Sequence, residues 1–457
     1  MNLTSESQFN ISISKLVELL RFPSISTHPD YKQDMADCQN WLKSYLEDSG
    51  FPCVELWPCD GHGAVFAAWD VDPSLPTLLI YGHYDVQPPE PLELWDNPPF
   101  EPEIREGYLY ARGASDNKGQ FMAHLEAIRL FKEQQGAPPI NIKVFIEGEE
   151  EIGSPSLDQL LKTYKDKLSA DVSLVSDTPM FNKTTPSICT SLRGLVYLEV
   201  SLEVMGSDLH SGQCGGIAPN AINLLCELIA SMRNKDGEVI VEGFYDGVKP
   251  LSKTLQDNID NLPFNADAFK KEQHCHYLLD SNQSAYKRLW YLPTLDCNGI
   301  WGGYTGPGAK TILPAKAHAK LSMRLVSKQD PEAQLNALKR HLQKQCPKDA
   351  KLSFEVMNCC KAYEIDAEHP AIPLALKALE QAFEKKPVLQ GEGGSIPFLQ
   401  RFQEVLGIDS LLMGLNFNDD NLHAPNERFL LDNYKKGIQA SLVFMNELKA
   451  NFIKVLK

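Results

Sequence analysis

The stretch FIEGEEEIGS, Phe145–Ser154, crowds Glu147, Glu149, Glu150 and Glu151 behind an apolar run that reads as a buried strand. Other apolar runs end the same way. TLLIYGHYDV ends in His83 and Asp85, and VSLVSD in Asp177. LYARGASDNKG delivers Asp116 just before a helix, and LLMGLNFNDDNLHAPNE delivers His423. Each alone has a bland reading: a structural histidine, a helix N-cap, a solvated acidic face. Open α/β sheets, however, bind ligands at the carboxyl ends of their strands. Several carboxylates gathered at one such edge need cations to offset repulsion and desolvation. Two imidazoles among carboxylates suit a borderline divalent ion such as Zn²⁺, Mn²⁺ or Co²⁺. The number of candidate ligands points to two ions sharing one carboxylate.

These residues must be held by regular elements. Helical periodicity covers 13–22 and 32–49, and GQFMAHLEAIRLFKEQ and SLDQLLKTYKDKL also read as helices. AVFAAW, TLLIYGH, NIKVFIEG and ADVSLVSD read as buried strands. Strands alternating with helices predict an α/β fold with a central mixed sheet flanked by helices. Near residue 189 the texture changes. GLVYLEVSLEV and AKAHAKLSMRLV alternate apolar and polar, as antiparallel strands with one exposed face do. A stretch at about 234–298 reads as irregular. After 365 the α/β pattern returns and closes with a helix from about 430 to 453. The predicted organisation is a discontinuous catalytic domain, 1–188 and 365–457, with an α+β lid domain, 189–364, inserted.

The 457 residues are 43% hydrophobic and 23% charged, enough for more than one core. A formal net charge of −16 argues against nucleic acid and anionic membrane surfaces as partners. No window approaches the roughly 18 apolar residues of a membrane span. The amino terminus lacks the pattern of a secretory signal. Eleven scattered cysteines with no CxxC pair read as reduced thiols, which predicts a cytoplasmic setting.

GHYDVQP, ARGASDNKG, EGEEEIGS, DLHSG and EGGSIP, in this order, resemble the signature segments of the M20 family of di-metal peptidases, in the branch of the cytosolic non-specific dipeptidases, and the likeness runs from about residue 20 to 450. The resemblance implies a di-metal domain with an inserted lid that mediates homodimerisation. It implies two divalent ions per subunit, Zn²⁺ first and Mn²⁺ or Co²⁺ as alternatives. His83 and Asp177 then hold the first ion, Glu151 and His423 the second, and Asp116 bridges them. Asp85 fixes the His83 tautomer. The family pattern, anchored on Gly153–Ser154, makes Glu150 the general base that activates a metal-bridged hydroxide. It leaves Glu147 and Glu149 away from metal, Glu149 without a role. His210 is the oxyanion donor, supplied across a dimer interface. Arg324, with Thr311, Ser395, Gly394 and His369, forms the pocket for a free C-terminal carboxylate.

The expected activity is hydrolysis of dipeptides. The alternative within the superfamily is an N-acyl-amino-acid deacylase or an exopeptidase acting on longer chains. The long 234–298 insertion and EGGSIP favour the dipeptidase. A catalytically silent binding protein on the same scaffold would have no use for Asp85, Glu150 and His210, all of which are present.

Overall fold

The computed structural model describes residues 5–452, so residue 453, at the end of the last expected helix, lies outside it. Along the chain come α1 (Glu6–Leu20), α2 (Lys32–Asp48), β1 (Cys53–Trp57), β2 (Ala64–Trp69) and β3 (Thr77–His83). Next are α3 (Lys118–Gln135), β4 (Asn141–Glu147), β5 (Val172–Val175) and β6 (Ser187–Leu192). The inserted part contributes β7 (Gly194–Glu203), α4 (Ala221–Ala230), β8 (Thr294–Gly302), β9 (Lys316–Leu325), α5 (Pro331–Gln345) and β10 (Lys351–Cys360). The chain closes with α6 (Ala371–Phe383), β11 (Ser410–Leu412) and α7 (Leu431–Asn451).

Two compact units result. The first runs to Thr190 and regains Ile365–Gln390 and the chain from Phe398 on; the second is Ser191–Glu364 with Gly391–Pro397. Gly391–Pro397, which the sequence places in the first unit, groups with the second. The reason is local bonding: Arg193 Nε donates to Gly393 O at 3.4 Å and Ser395 Oγ to Arg193 O at 2.5 Å.

In the first unit the strand order is β1-β2-β4-β3-β5-β11-β6. β3 is parallel to β4 and to β5, and β11 is parallel to β5. The register sets His83 opposite Glu147 and Tyr81 opposite Val175. Parallel pairing therefore delivers the ends of β3, β4 and β5 to one edge of the sheet. These strands are apolar on both faces and buried throughout most of their length, as strands covered on both faces must be. α3 is buried on every side from Lys118 to Phe131, and its polar members are paired. Glu126 accepts from Ser12 Oγ at 2.5 Å, Tyr45 Oη at 2.6 Å and Arg129 Nε at 2.8 Å.

The second unit is a four-stranded antiparallel sheet in the order β8-β9-β7-β10. β7 and β9 alternate strictly between buried and half-exposed residues, and their buried side chains pack with Leu225, Leu228, Leu338 and Leu342 of α4 and α5. The 234–298 stretch is not wholly irregular. It holds short helices at Lys253–Asp260, Ala266–Glu272 and Ala285–Trp290, followed by the start of β8. Ser252 and Asn265 cap the first two through their side chains, a signal masked by the polar composition around them. All eleven cysteines are free thiols. No helix among the described residues is long and apolar enough to cross a membrane.

The contact of β3 with α3 is close. A methyl added at Gly82 would lie 2.7 Å from Phe121 Cβ, so only glycine lets the helix sit this near the strand that carries His83. Gly82→Ala is expected to destabilise the protein by about 1–3 kcal/mol through overpacking, read as a lowered urea midpoint.

Candidate metal centre

His83 ends β3 and is fully buried. Its Nδ1 lies 3.1 Å from Asp85 O and 3.3 Å from Asp85 Oδ1. That leaves Nε2 facing acids, 3.2 Å from Asp116 Oδ1 and 3.9 Å from Asp177 Oδ1. Nε2 makes no well-aligned hydrogen bond although it is buried. Buried ring nitrogens are rarely left so, and an imidazole nitrogen aimed between two carboxylates suits a cation. Asp85 also holds the turn after β4. Its Oδ1 accepts from Glu150 N–H at 3.2 Å and its Oδ2 from Glu151 N–H at 3.0 Å.

Asp116 uses both oxygens. Oδ1 faces His83, and Oδ2 lies 2.8 Å from His423 Nε2. His423 Nε2 is also 3.4 Å from Glu151 Oε2, which accepts from Gln87 Nε2 at 2.8 Å. Two groups of potential metal ligands result: His83, Asp116 and Asp177; and Asp116, Glu151 and His423. Their ligand atoms lie within 4.8 Å of one another in each group, and Asp116 belongs to both. Glu150 belongs to neither.

The peptide between Asp116 and Asn117 is cis. The Asn117 side chain ties three parts of the edge together. Its Oδ1 accepts from His83 N–H at 3.3 Å, and its Nδ2 donates to Ser176 O and, at 3.1 Å, to Asp177 Oδ1.

The electrostatics call for positive charge. Burial, then the charge of Asp116, pushes Glu151 up to about 8. Burial and the charges of Asp177, Glu151 and Asp116 push Glu150 well above the carboxylate range. Burial raises Asp177 too. Burial would also raise Asp116, but His423 and His83 beside it more than reverse this. His83 is pushed well above its ordinary value because Asp116, Asp177 and Asp85 outweigh burial, and the bond to Asp116 lifts His423 to about 9. Without metal, protons would have to supply the charge balance; divalent ions supply it with the carboxylates ionised.

The remaining glutamates of Phe145–Ser154 are structural. Glu149 accepts from His62 N–H at 2.8 Å and from Ser156 N–H at 2.9 Å, stapling one loop to the turn. Glu147 accepts from Tyr81 Oη at 2.7 Å.

The sequence reading missed Glu427, although it closes the quoted NLHAPNE segment. It is fully buried and accepts four donors: Arg112 Nη1 at 2.8 Å, and the N–H groups of Gly113 at 2.9 Å, Ser115 at 2.9 Å and Asp116 at 3.0 Å. It thereby fastens the loop carrying His423 to the loop carrying Asp116. Its spacing of four from His423 was the available signal.

Other expected residues lie in the second unit. His210 and Thr311 meet where Leu209–His210 pairs with Ile312–Leu313, and Ser211 N–H donates to Thr311 O at 3.1 Å. His210 Nδ1 accepts from Gly212 N–H at 2.9 Å, so the neutral ring carries its proton on Nε2. Arg324 Nη1 donates to Ser395 Oγ at 3.1 Å, next to Gly394. His369, in the first unit, lies two residues before α6 and accepts from Ala371 N–H at 3.2 Å; it joins neither ligand group.

Residues 79–447 match peptidase family M20/M25/M40, and the chain belongs to that family. It is 31% identical over 452 residues to a Cys-Gly metallodipeptidase of Schizosaccharomyces pombe, covering 95% of each chain. It is 30% identical to the human Beta-Ala-His dipeptidase, over 84% of this chain and 77% of that one. An M20 family metallo-carboxypeptidase from Sulfolobus solfataricus has the same fold, with a TM-score of 0.82 and 32% identity over 96% of this chain and 99% of that one.

Glu427→Gln would set an amide NH₂ against two of the four donors and strand Arg112 without its buried partner. We expect about a tenfold or greater loss of metal affinity, measured by calorimetric titration of the stripped protein, together with a lowered urea midpoint.

Proposed function

We propose that this chain is a metal-dependent dipeptidase that hydrolyses the peptide bond of dipeptides bearing a free C-terminal carboxylate. The observation that carries the reading is the pair of ligand groups sharing Asp116, with the half-buried Glu150 carboxyl beside them and in neither. His83, Asp177 and one Asp116 oxygen would hold one ion; Glu151, His423 and the other oxygen would hold the second. The donor set fits Zn²⁺, with Mn²⁺ or Co²⁺ as alternatives. Ions so held supply Lewis acidity and make hydroxide available from water near pH 7.

The chain's own residues do the rest. Asp85 holds His83 through Nδ1 and, by accepting the Glu150 and Glu151 N–H groups, aims both glutamates. Glu150 takes the proton of the attacking water and hands it to the leaving amine. With the neighbouring carboxylates neutralised by metal, its carboxyl returns towards a range where it serves as base and then acid. His210, with its proton on Nε2, donates to the oxyanion. The chain acts as a homodimer in which His210 serves the partner's site. Supporting this, His210 is exposed, and the edge strands β8 and β10 of its unit expose Ile300, Trp301, Val356 and Met357.

A second reading, an exopeptidase that accepts longer chains, is favoured by the likeness to the metallo-carboxypeptidase. A panel of dipeptides, tripeptides and N-acyl amino acids separates these readings from each other and from a deacylase.

Chelation with EDTA is expected to abolish dipeptide hydrolysis and Zn²⁺ or Mn²⁺ to restore it; full activity of metal-free protein would contradict the reading. Glu150→Ala should retain two ions per chain yet lose turnover, whereas Glu151→Ala should lose one ion. Mixing Glu150→Ala with His210→Ala subunits under exchange should recover about a quarter of wild-type activity if His210 acts across the dimer, and none if it acts within its own subunit.

A further inference from the structure

Two arginines of the second unit stand together without a carboxylate in ion-pair range. Arg193 and Arg324 repel each other, and neither has an Asp or Glu oxygen within 4.0 Å among the described residues. Arg193 Nε donates to Gly393 O at 3.4 Å, and among the described residues no acceptor takes either Nη group of its fork. Nearby acids are Glu392, whose Oε1 accepts from Gly393 N–H at 2.7 Å, and Asp296, which Arg233 engages at 3.4 Å. With Asp296 engaged by Arg233, Glu392 is the other acid that offsets the Arg193 and Arg324 charges, which leaves this spot short of negative charge. That balance suits one monoanionic carboxylate.

Ser395 sits between the two arginines. Its hydroxyl has a single hydrogen, and this goes to Arg193 O at 2.5 Å, while its oxygen accepts from Arg324 Nη1 at 3.1 Å. In this arrangement Ser395 has no proton left for a substrate anion.

We propose that Arg193 is a second cationic donor, beside Arg324, for the free carboxylate of the substrate, and that Ser395 is a positioning residue that orients Arg324 against the Arg193 backbone. The inference rests on the reading of the protein as a peptidase of substrates with a free C-terminus. Two forks converging on one carboxylate give charge-assisted bonds from both sides, which an uncharged C-terminal amide cannot match.

The test compares kcat/KM for a dipeptide acid and its C-terminal amide, using the metal-loaded protein. Arg193→Met removes the donor. Gly393→Ala keeps every charge but puts a methyl 2.8 Å from Arg193 Nη2, pushing the fork aside; it carries the test should Arg193→Met fail to fold. Each is expected to cut the acid-over-amide preference by about tenfold or more, chiefly through KM for the acid. Ser395→Ala should cut it less, and should add nothing in an Arg324→Met background, because its effect runs through Arg324. If Arg324→Met collapses the preference while Arg193→Met and Gly393→Ala leave it intact, the proposal is overturned and the peptidase reading stands. If none of these changes the preference, the carboxylate pocket itself is misassigned, and the proposal falls with it.

Discussion

Like-charge repulsion among Asp116, Asp177, Glu150 and Glu151 is the constraint around which the first unit is organised. All four acids gather at the edge where parallel strands end, each half-buried, and desolvation together with mutual repulsion raises three of them. Two histidines cannot balance four carboxylates. A chain that kept such an edge without cations would hold it protonated or unfold it. The orphaned Nε2 of His83 and the two-sided use of Asp116 give the same answer by geometry: the edge is built to be completed by positive charge.

Such a site has to be braced before anything binds, because ligands that repel each other will not gather unaided. The bracing comes from groups outside both sets of potential ligands. Asp85 pins the backbone of the two working glutamates, Asn117 links the strand of His83 to the turn of Asp177, and Glu427 locks together the loops of Asp116 and His423. Most of these bonds use a backbone N–H as anchor, and Asn117 also donates to the Asp177 carboxylate itself. Outer bonds of this kind set the orientation and basicity of ligands.

Much of this was legible in the sequence, for identifiable reasons. A sheet of parallel buried strands announces itself as apolar runs, and whatever polar residue ends such a run must emerge at one edge. His83 and Asp177 could therefore be read locally, whereas singling out Glu150 and Glu151 among four glutamates needed the family resemblance anchored on Gly153–Ser154. The bracing could not be read in this way. Glu427 contacts residues more than 300 positions away, and its burial is invisible in a polar loop sequence. Glu149 has no role in the sequence until its two oxygens are seen to accept from His62 N–H and Ser156 N–H. Ser395 reads as a donor until its one hydrogen is accounted for. The helices within 234–298 were hidden for a related reason: their caps and short apolar faces are diluted by polar residues.

The central claim is that Asp116 is shared between two cations while Glu150 stays outside both coordination shells. Anomalous diffraction from crystals of the Zn²⁺- or Mn²⁺-loaded protein tests it most directly. The account requires two anomalous peaks per chain, each bonded to a different Asp116 oxygen, one flanked by His83 and Asp177 and the other by Glu151 and His423. A single peak at full loading, or Glu150 bonded to an ion in place of Glu151, would contradict it.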